Sequence, residues 1–340
     1  MRRFSRFPVF HEKGHSMSIT VYVTDDFEHM STIGAEIVRT RSIRTLRQKN
    51  EMVLGLATGN SPTGLYRHLA RAANAGELDS RRIRSFNLDE YVGLPGENAQ
   101  QRVLHRESYC TFMIERLFSR LDHKFIEASV PYGTLIDQPR LIEELAAHPD
   151  DWKEEGADAG RSIAIRPAPV SPYLAWIREE ILEEYARKIE RAGGIDLQII
   201  GVGGRGHVAF HESGIPFANS RVMLVKLDGD TVTNAVADGH FPSIQESPCY
   251  AVSMGAELVY RAGAVVLLAN GERKVEAVAR SLLDEPTPEV PISYGQIYSA
   301  NGGTLCYVVD KTVARELLAS RSALEKKGVE ILFPKPDAAL

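Results

Sequence analysis

Three short segments of the sequence concentrate the residue types that bind anions and move protons. The first, Gly55-Leu56-Ala57-Thr58-Gly59-Asn60-Ser61-Pro62-Thr63-Gly64, joins a β-branched run to an amphipathic one. Its small residues let backbone N–H groups approach an anion, Thr58, Ser61 and Thr63 add hydroxyl donors, and the positive end of the following helix faces the same point. It reads as a phosphate cradle. It has neither the Gly-Lys-Ser/Thr ending of a P-loop nor GxGxxG spacing, so it gives little support to a nucleotide. A plain strand-to-helix turn that needs glycine for its backbone angles is the alternative.

The second segment, Phe86-Asn87-Leu88-Asp89-Glu90-Tyr91-Val92-Gly93-Leu94, places paired acids directly after another apolar run. A carboxylate at a strand end, half-shielded by Leu88 and Tyr91, gains proton affinity and can act as a base on a carbon acid. Asp89 is the general-base candidate. Capping of the next turn by Asp89 or Glu90 is the alternative. The third segment, Gly201-Val202-Gly203-Gly204-Arg205-Gly206-His207-Val208-Ala209-Phe210-His211-Glu212-Ser213-Gly214, crowds four glycines into six positions. Such density implies close backbone approach to something; His207 titrates near neutral pH and Glu212 can orient or charge it.

Elements that could position these loops are legible on either side of them. Strand-like runs at Ile19–Val23, Met52–Ala57, Ile83–Leu88, Leu197–Val202, Ala264–Leu268 and Thr304–Val309 alternate with helical patterns. The helical patterns run over Met30–Asn50, Gly64–Ala75, Tyr173–Ala192, Gly271–Leu283 and Lys311–Lys327. That alternation predicts βα units in an α/β fold: a three-layer, doubly wound, mostly parallel sheet with helices on both faces, Rossmann-like in architecture. Ligands of such sheets bind beyond the carboxyl ends of the strands, where all three segments fall. Residues 143–170 differ, being polar and proline-containing, and suggest a surface insertion or lid.

The 340 residues are 44% hydrophobic and 25% charged, with a formal net charge of -5 and a pI near 6.1. That balance gives a sizeable core and no long-range pull toward nucleic acid or acidic membrane surfaces. Cys110, Cys249 and Cys306 are far apart and read as packing residues in a reducing cytoplasm. No apolar run approaches the ~20 residues a membrane span requires, so the expectation is a soluble protein. Residues 1–16, with Arg2, Arg3 and Arg6 but no apolar stretch, are expected to be a disordered leader, not a signal peptide. A single domain over 17–330 and a tail over 331–340 complete the expected organisation.

Taken together, the three segments resemble the glucosamine-6-phosphate deaminase family, whose motifs run Gly-Leu-x-Thr-Gly-x-(Ser/Thr)-Pro, Phe-Asn-x-Asp-Glu-Tyr-x-Gly-Leu and Gly-Val-Gly-x-Asp-Gly-His-x-Ala-Phe-Asn-Glu-Pro. The middle motif is matched at every fixed position, and order and spacing agree from about Ile19 to Leu318. Tyr250-Ala251-Val252-Ser253-Met254-Gly255 resembles a further family strand lead, and Lys274 falls where the family has a phosphate-binding lysine. The related 6-phosphogluconolactonases usually continue the Gly-His element with Thr-Ala-Ser, where this chain has Val208-Ala209-Phe210.

The resemblance implies that His207, with Glu212, passes a proton to the ring oxygen of an amino-sugar phosphate, and that Asp89 moves a proton from C2 to C1. Ammonia then leaves and a ketose phosphate remains. Thr58, Gly59, Asn60, Ser61 and Lys274 would hold the phosphate, with Gly204, Arg205, Glu90 and His211 also in the binding set. No metal and no cofactor is implied, the partner is a small sugar phosphate, and a homo-oligomer is expected.

Three positions of the third motif, and one beyond it, depart from the family. Arg205 stands where the motif has aspartate, His211 where it has asparagine, and Ser213 where it closes on proline. An acid at 205 would favour an imidazolium at His207, and a guanidinium opposes it. Val236 replaces a family arginine that contacts phosphate, which suggests that Arg205 has taken over an anion-binding role. Two other readings stay open: hydrolysis of a sugar-phosphate lactone, with His207 activating water and Asp89 unused, and a non-catalytic sugar-phosphate sensor. Regulators of the latter kind carry a DNA-binding segment that neither the leader nor the tail is expected to supply.

Overall fold

The structure is a computed structural model, and it describes residues 19–335 except 159 and 238. The leader expected over residues 1–16 lies outside the described residues, as do residues 336–340 of the tail. Thirteen strands are present among the described residues. They are β1 (Ile19–Thr24), β2 (Met52–Leu56), β3 (Ile83–Asn87), β4 (Asp89–Val92), β5 (Glu127–Ser129), β6 (Trp152–Glu155) and β7 (Arg161–Ile165). β8 (Leu197–Ile200), β9 (Val222–Lys226), β10 (Tyr250–Met254), β11 (Ala264–Ala269), β12 (Thr304–Asp310) and β13 (Val329–Leu332) follow.

Eight of them form one sheet in the order β13-β1-β12-β11-β8-β2-β3-β5, and every pairing in it is parallel. Residues alternate across the faces of a strand. In β11, Ala264, Val266 and Leu268 therefore enter one apolar cluster and Val265, Leu267 and Ala269 the other. Helices Phe27–Gln48, Thr63–Asn74 and Tyr109–Arg116 cover the first face. Helices Glu184–Arg191, Val275–Leu283 and Lys311–Ala319 cover the second. A sheet buried on both sides explains why its strands read as nearly continuous apolar runs. The expected α/β architecture is thus present, with all six anticipated strands in it. Among the described residues no helix is long and apolar enough to cross a membrane.

The connections place the site. From β2 the chain steps outward to β3 and β5, whereas from β8 it steps the other way to β11 and β12. The reversal falls between β2 and β8, and because all strands are parallel their carboxyl ends open on one rim at that point. Ligands of doubly wound sheets bind in the crevice such a reversal leaves.

A second, antiparallel sheet of five strands, in the order β4-β10-β9-β7-β6, was not anticipated from the sequence. It grows directly from the first: only Leu88 separates β3 from β4, and its N–H donates to Leu56 O at 3.1 Å while its carbonyl accepts from Met254 N at 2.7 Å. The region expected to be a surface insertion or lid supplies the β6–β7 hairpin, which pairs along β9 and extends this sheet.

Candidate functional site

The loop after β2 starts with Ala57, whose N–H donates to the Tyr66 hydroxyl at 3.0 Å while that hydroxyl donates back to Ala57 O. Tyr66 is wholly buried on the helix Thr63–Asn74, so this clamp fixes the direction in which Thr58, Gly59, Asn60 and Ser61 leave the sheet. Gly59 adopts φ +88°, a left-handed conformation that side chains resist. Gly59 and Asn60 are exposed, and Thr58 and Ser61 are half-buried. Ser61 Oγ donates to Asn270 Oδ1 at 2.8 Å. Because β8 lies between β2 and β11, this bond spans the end of β8. It also draws the turn Glu272–Lys274, with half-buried Lys274, toward the same rim.

Asp89 opens β4 at the edge of the same crevice. It is buried, and its Oδ1 has no hydrogen-bond partner among the described residues. Burial raises its proton affinity well above the ordinary aspartate value, and the neighbouring Glu90 carboxylate adds to the effect. Ionising such a group is costly, so it takes up a proton readily, the property wanted of a base on carbon. Asn87, two residues earlier and wholly buried, also leaves both amide atoms without a partner among the described residues.

Glu90, expected in the binding set, has a different task. Its carboxylate accepts from Tyr91 N at 2.9 Å, Ser108 Oγ at 2.9 Å, Tyr109 N at 3.0 Å and Cys110 N at 3.1 Å. It therefore supports the N-terminus of the helix Tyr109–Arg116 alongside the N-cap residue Ser108, a helix remote in the chain and not the next turn that the motif left open. Burial lifts its carboxyl to about 7 despite those donors.

The loop after β8 folds back on itself around His207. Gly203 N–H donates to His207 O at 3.0 Å, and the imidazole lies over Gly203 so closely that a Cβ there would overlap the ring. His207 Nδ1 is 3.3 Å from Glu212 Oε2; the histidine side chain is 21% exposed and the glutamate 2%. Burial alone would raise Glu212, but His207, the Thr231 hydroxyl and the Asp228 N–H outweigh it and hold the carboxyl below its ordinary value. Phe210 N–H donates to Ser253 Oγ at 2.9 Å, and Ser253 stands directly opposite Asp89 in the β4–β10 pairing. The imidazole loop and the candidate base are thereby anchored to one strand pair.

Two further residues of the expected binding set have partners within the protein. His211 is wholly buried: Nδ1 accepts from Ala256 N at 3.0 Å and Nε2 meets Ile215 O at 3.0 Å. An accepting Nδ1 and a donating Nε2 define the neutral ring, and burial lowers its proton affinity to about 4. His211 is thus a structural crosspiece, with both ring nitrogens engaged by the backbone. Arg205, expected to hold a substrate anion, is occupied by the protein itself. Its Nη1 pairs with Asp228 Oδ2 at 2.7 Å, and its Nη2 with Asp158 of the β6–β7 turn. Its charge is answered by two carboxylates, which offsets the opposition to a charged His207 expected from Arg205 alone. Val236 packs on the apolar cluster around Phe210 and Ile215. A cavity of about 360 Å³ adjoins this loop, lined by Gly204, Arg205, Ser213, Gly214, Asp158 and Arg280 among others. Neither Asp89 nor the Thr58–Ser61 turn lines it.

No protein-family model matches the sequence. The chain is, however, 31% identical over 271 residues to a glucosamine-6-phosphate deaminase of Thermoanaerobacter sp. (strain X514), a match covering 80% of this chain and 86% of that protein. The chain belongs to the glucosamine-6-phosphate deaminase family. A glucosamine-6-phosphate deaminase of Clostridium botulinum (strain Loch Maree / Type A3) is also 31% identical, over 297 residues, covering 87% of this chain and 98% of the relative. Among solved structures, one described as a monomeric glucosamine-6-phosphate deaminase superposes with a TM-score of 0.64 at 25% identity, covering 88% of this chain and all of that one. The 6-phosphogluconolactonase of Trypanosoma brucei superposes at 0.55 with 17% identity, over 89% of this chain and all of that one, and shares the fold alone.

Within the glucosamine-6-phosphate deaminase fold, Tyr66, Asn270, Asp158 and Asp228 also position the site, and none of them falls in the three segments that mark it in the sequence. Each acts through a partner remote in the chain: Asn270 is 209 residues from Ser61, and Asp158 is 47 from Arg205. Asn270 follows the last residue of β11, and that position is the one signal that could have flagged it.

Proposed function

We propose that this protein converts an amino-sugar phosphate to a ketose phosphate and ammonia by aldose–ketose isomerisation followed by deamination. Thr58, Gly59, Asn60, Ser61 and Lys274 hold the phosphate, and that fixed handle orients the reacting carbons. His207, kept in position by Glu212, delivers a proton to the ring oxygen and opens the pyranose. Asp89 takes the proton from C2 and returns it at C1. Water then adds at C2 as ammonia leaves, giving the ketose phosphate.

The observation that carries this reading is the Asp89 carboxylate. It is buried at the rim of the crevice, its Oδ1 has no partner among the described residues, and burial raises its affinity for a proton. Membership of the glucosamine-6-phosphate deaminase family supports the same reaction class. Lactone hydrolysis has no use for a carbon base, and the lactonase neighbours share only the fold.

The test is an ammonia-release assay across the 6-phosphates of glucosamine, galactosamine and mannosamine. Ammonia from the wild type and none from Asp89→Asn is the expected result. Acid release from a sugar-phosphate lactone, with Asp89→Asn fully active, would replace the proposal with the hydrolase.

A further inference from the structure

The turn of the β6–β7 hairpin does more than extend a sheet, because it is seated on the loop that carries His207 and against its partner Glu212. Ala157 N–H donates to Gly214 O at 3.0 Å, and Asp158 pairs with Arg205. Gly160 backs onto Glu212: a Cβ at position 160 would come within 2.7 Å of Glu212 Cγ and closer still to its Cβ. Gly214, at φ +85°, accommodates the turn from the other side, since a Cβ there would lie 2.9 Å from Asp158 N. A glycine on each side of the contact, Gly160 against Glu212 and Gly214 against Asp158, marks segments that must approach closely.

Asp228 lies beneath this contact, buried and fixed at three atoms. Its N–H points to Glu212 Oε1 at 3.4 Å, its Oδ1 accepts from Asp230 N at 2.8 Å, and its Oδ2 holds Arg205 Nη1 at 2.7 Å. Arg205 Nη2 also reaches Ser213 Oγ at 3.5 Å, one residue beyond Glu212. A continuous path of contacts therefore runs from His207 through Glu212 and Asp228 to Arg205 and the hairpin turn. One guanidinium set between two carboxylates leaves a single net negative charge behind the pair.

We infer that Arg205, Asp228 and the hairpin turn at Asp158 and Gly160 form a positioning shell for the Glu212–His207 pair, with Arg205 acting through Asp228 and not on the substrate. This rests on the reading of His207 and Glu212 as the proton-handling groups. It also explains how an arginine is tolerated beside His207: its charge is absorbed by acids from two other elements. Among the described residues, the charged and titratable groups around His207 are Arg205, Glu212 and neutral His211 on its own loop, Asp228 ahead of the helix Gly229–Ala237, Asp230 in the first turn of that helix, and Asp158 on the hairpin. Across the adjoining cavity stand Glu276, Arg280 and Glu289.

Such a shell predicts effects of opposite sign from its two charges. Removing the cation by Arg205→Ala leaves the pair in a more negative field, which favours the imidazolium and moves the pH limb of kcat/KM set by His207 upward. Removing the anion by Asp228→Asn moves that limb downward. Both changes, and Gly160→Ala through crowding of Glu212, lower kcat about 10-fold or more with KM within about 3-fold. Arg205→Lys restores the direction of the charge and recovers the limb.

The experiment measures ammonia release against pH for these four variants and for His207→Ala, with Tm recorded for each to confirm folding. Opposite displacements for Arg205→Ala and Asp228→Asn at near-constant KM are the expected result. A rise in KM that exceeds the loss in kcat, with the limb unmoved, returns Arg205 to the role of substrate anchor and overturns the inference. If His207→Ala is inactive and the shell variants match the wild type, the shell fails and the proposed reaction stands. If His207→Ala keeps full activity, the proposed reaction itself fails.

Discussion

At the β3–β4 junction and at the end of β8, two carboxylates near one crevice are held in opposite ways. Asp89 has an oxygen with no partner among the described residues, and burial pushes its proton affinity up. Glu212 is buried as deeply but is met by His207, Thr231 and the Asp228 N–H, and its proton affinity falls. The first setting favours a group that must take up a proton; the second favours a permanent anion that orients a neighbour. Residue type does not distinguish them, and depth of burial does not either. The donors placed around each carboxylate decide.

The largest effect expected from this contrast comes from removing the base. Asp89→Asn keeps the shape and abolishes proton transfer between C1 and C2, so kcat should fall by about 10³-fold with KM little changed. Because an uncompensated carboxylate is costly to bury, the same variant should melt higher than the wild type at pH 8. Activity and stability moving in opposite directions marks a group kept for function. A kcat within 10-fold of wild type, or a lowered Tm, would break the contrast at its first member.

The second effect tests the other member. A Cβ at Gly203 overlaps the His207 ring, so Gly203→Ala must displace the imidazole or the backbone. A misplacement of that size costs about 10²-fold in rate, and substrate binding through the Thr58–Ser61 turn should survive it. Steady-state kinetics with an unchanged KM and a 10²-fold lower kcat would confirm that the glycine is required for the ring's place. Full activity would mean that His207 is not held by this loop.

How much of this arrangement the sequence discloses follows from what kind of signal each part leaves. The six strands at the centre of the parallel sheet are apolar on both faces, so β11 and β12 stand out as runs with turn residues at their ends. The antiparallel sheet leaves a weaker mark. Asp89-Glu90-Tyr91-Val92 begins with two acids and Trp152-Lys153-Glu154-Glu155 is mostly polar, because β4 carries the site and β6 is an edge strand. The Thr58–Ser61 turn, Asp89, His207 and Glu212 are legible because their types and positions after strands are unusual. What stays hidden is which polar groups are already satisfied. Glu90 and His211 look like ligand contacts until their partners Ser108, Cys110, Ile215 and Ala256 are known, all supplied by the fold. Arg205 looks like an anion anchor until Asp158 and Asp228 are brought to it from 47 and 23 residues away.

The smallest effect expected is on stability, and it separates the two regions by the direction of its pH dependence. Glu90, beside the base, binds its proton more tightly when folded, at about 7 against an ordinary 4.5. Its contribution is present in full below the ordinary value and is lost as pH rises through 7. Glu212 is lowered on folding, so its contribution is present above the ordinary value and is lost as pH falls through the folded one. His211, lowered from 6.5 to about 4, acts in the same direction as Glu212, because folding opposes its protonation as pH falls through that window. Glu90→Gln keeps an acceptor for some of the helix N–H groups while removing the charge. Relative to wild type its Tm should therefore rise between pH 5 and pH 8, by an amount on the order of 2 kcal/mol in stability. Glu212→Gln should show the reverse trend, its deficit against wild type shrinking as the pH drops below about 4.5. Calorimetric Tm values for the three proteins from about pH 3 to about pH 8, spanning both windows, give the two slopes directly. Slopes of the same sign would mean that the two carboxylates are held by the same physics, and the division of labour between base and anchor would lose its structural basis.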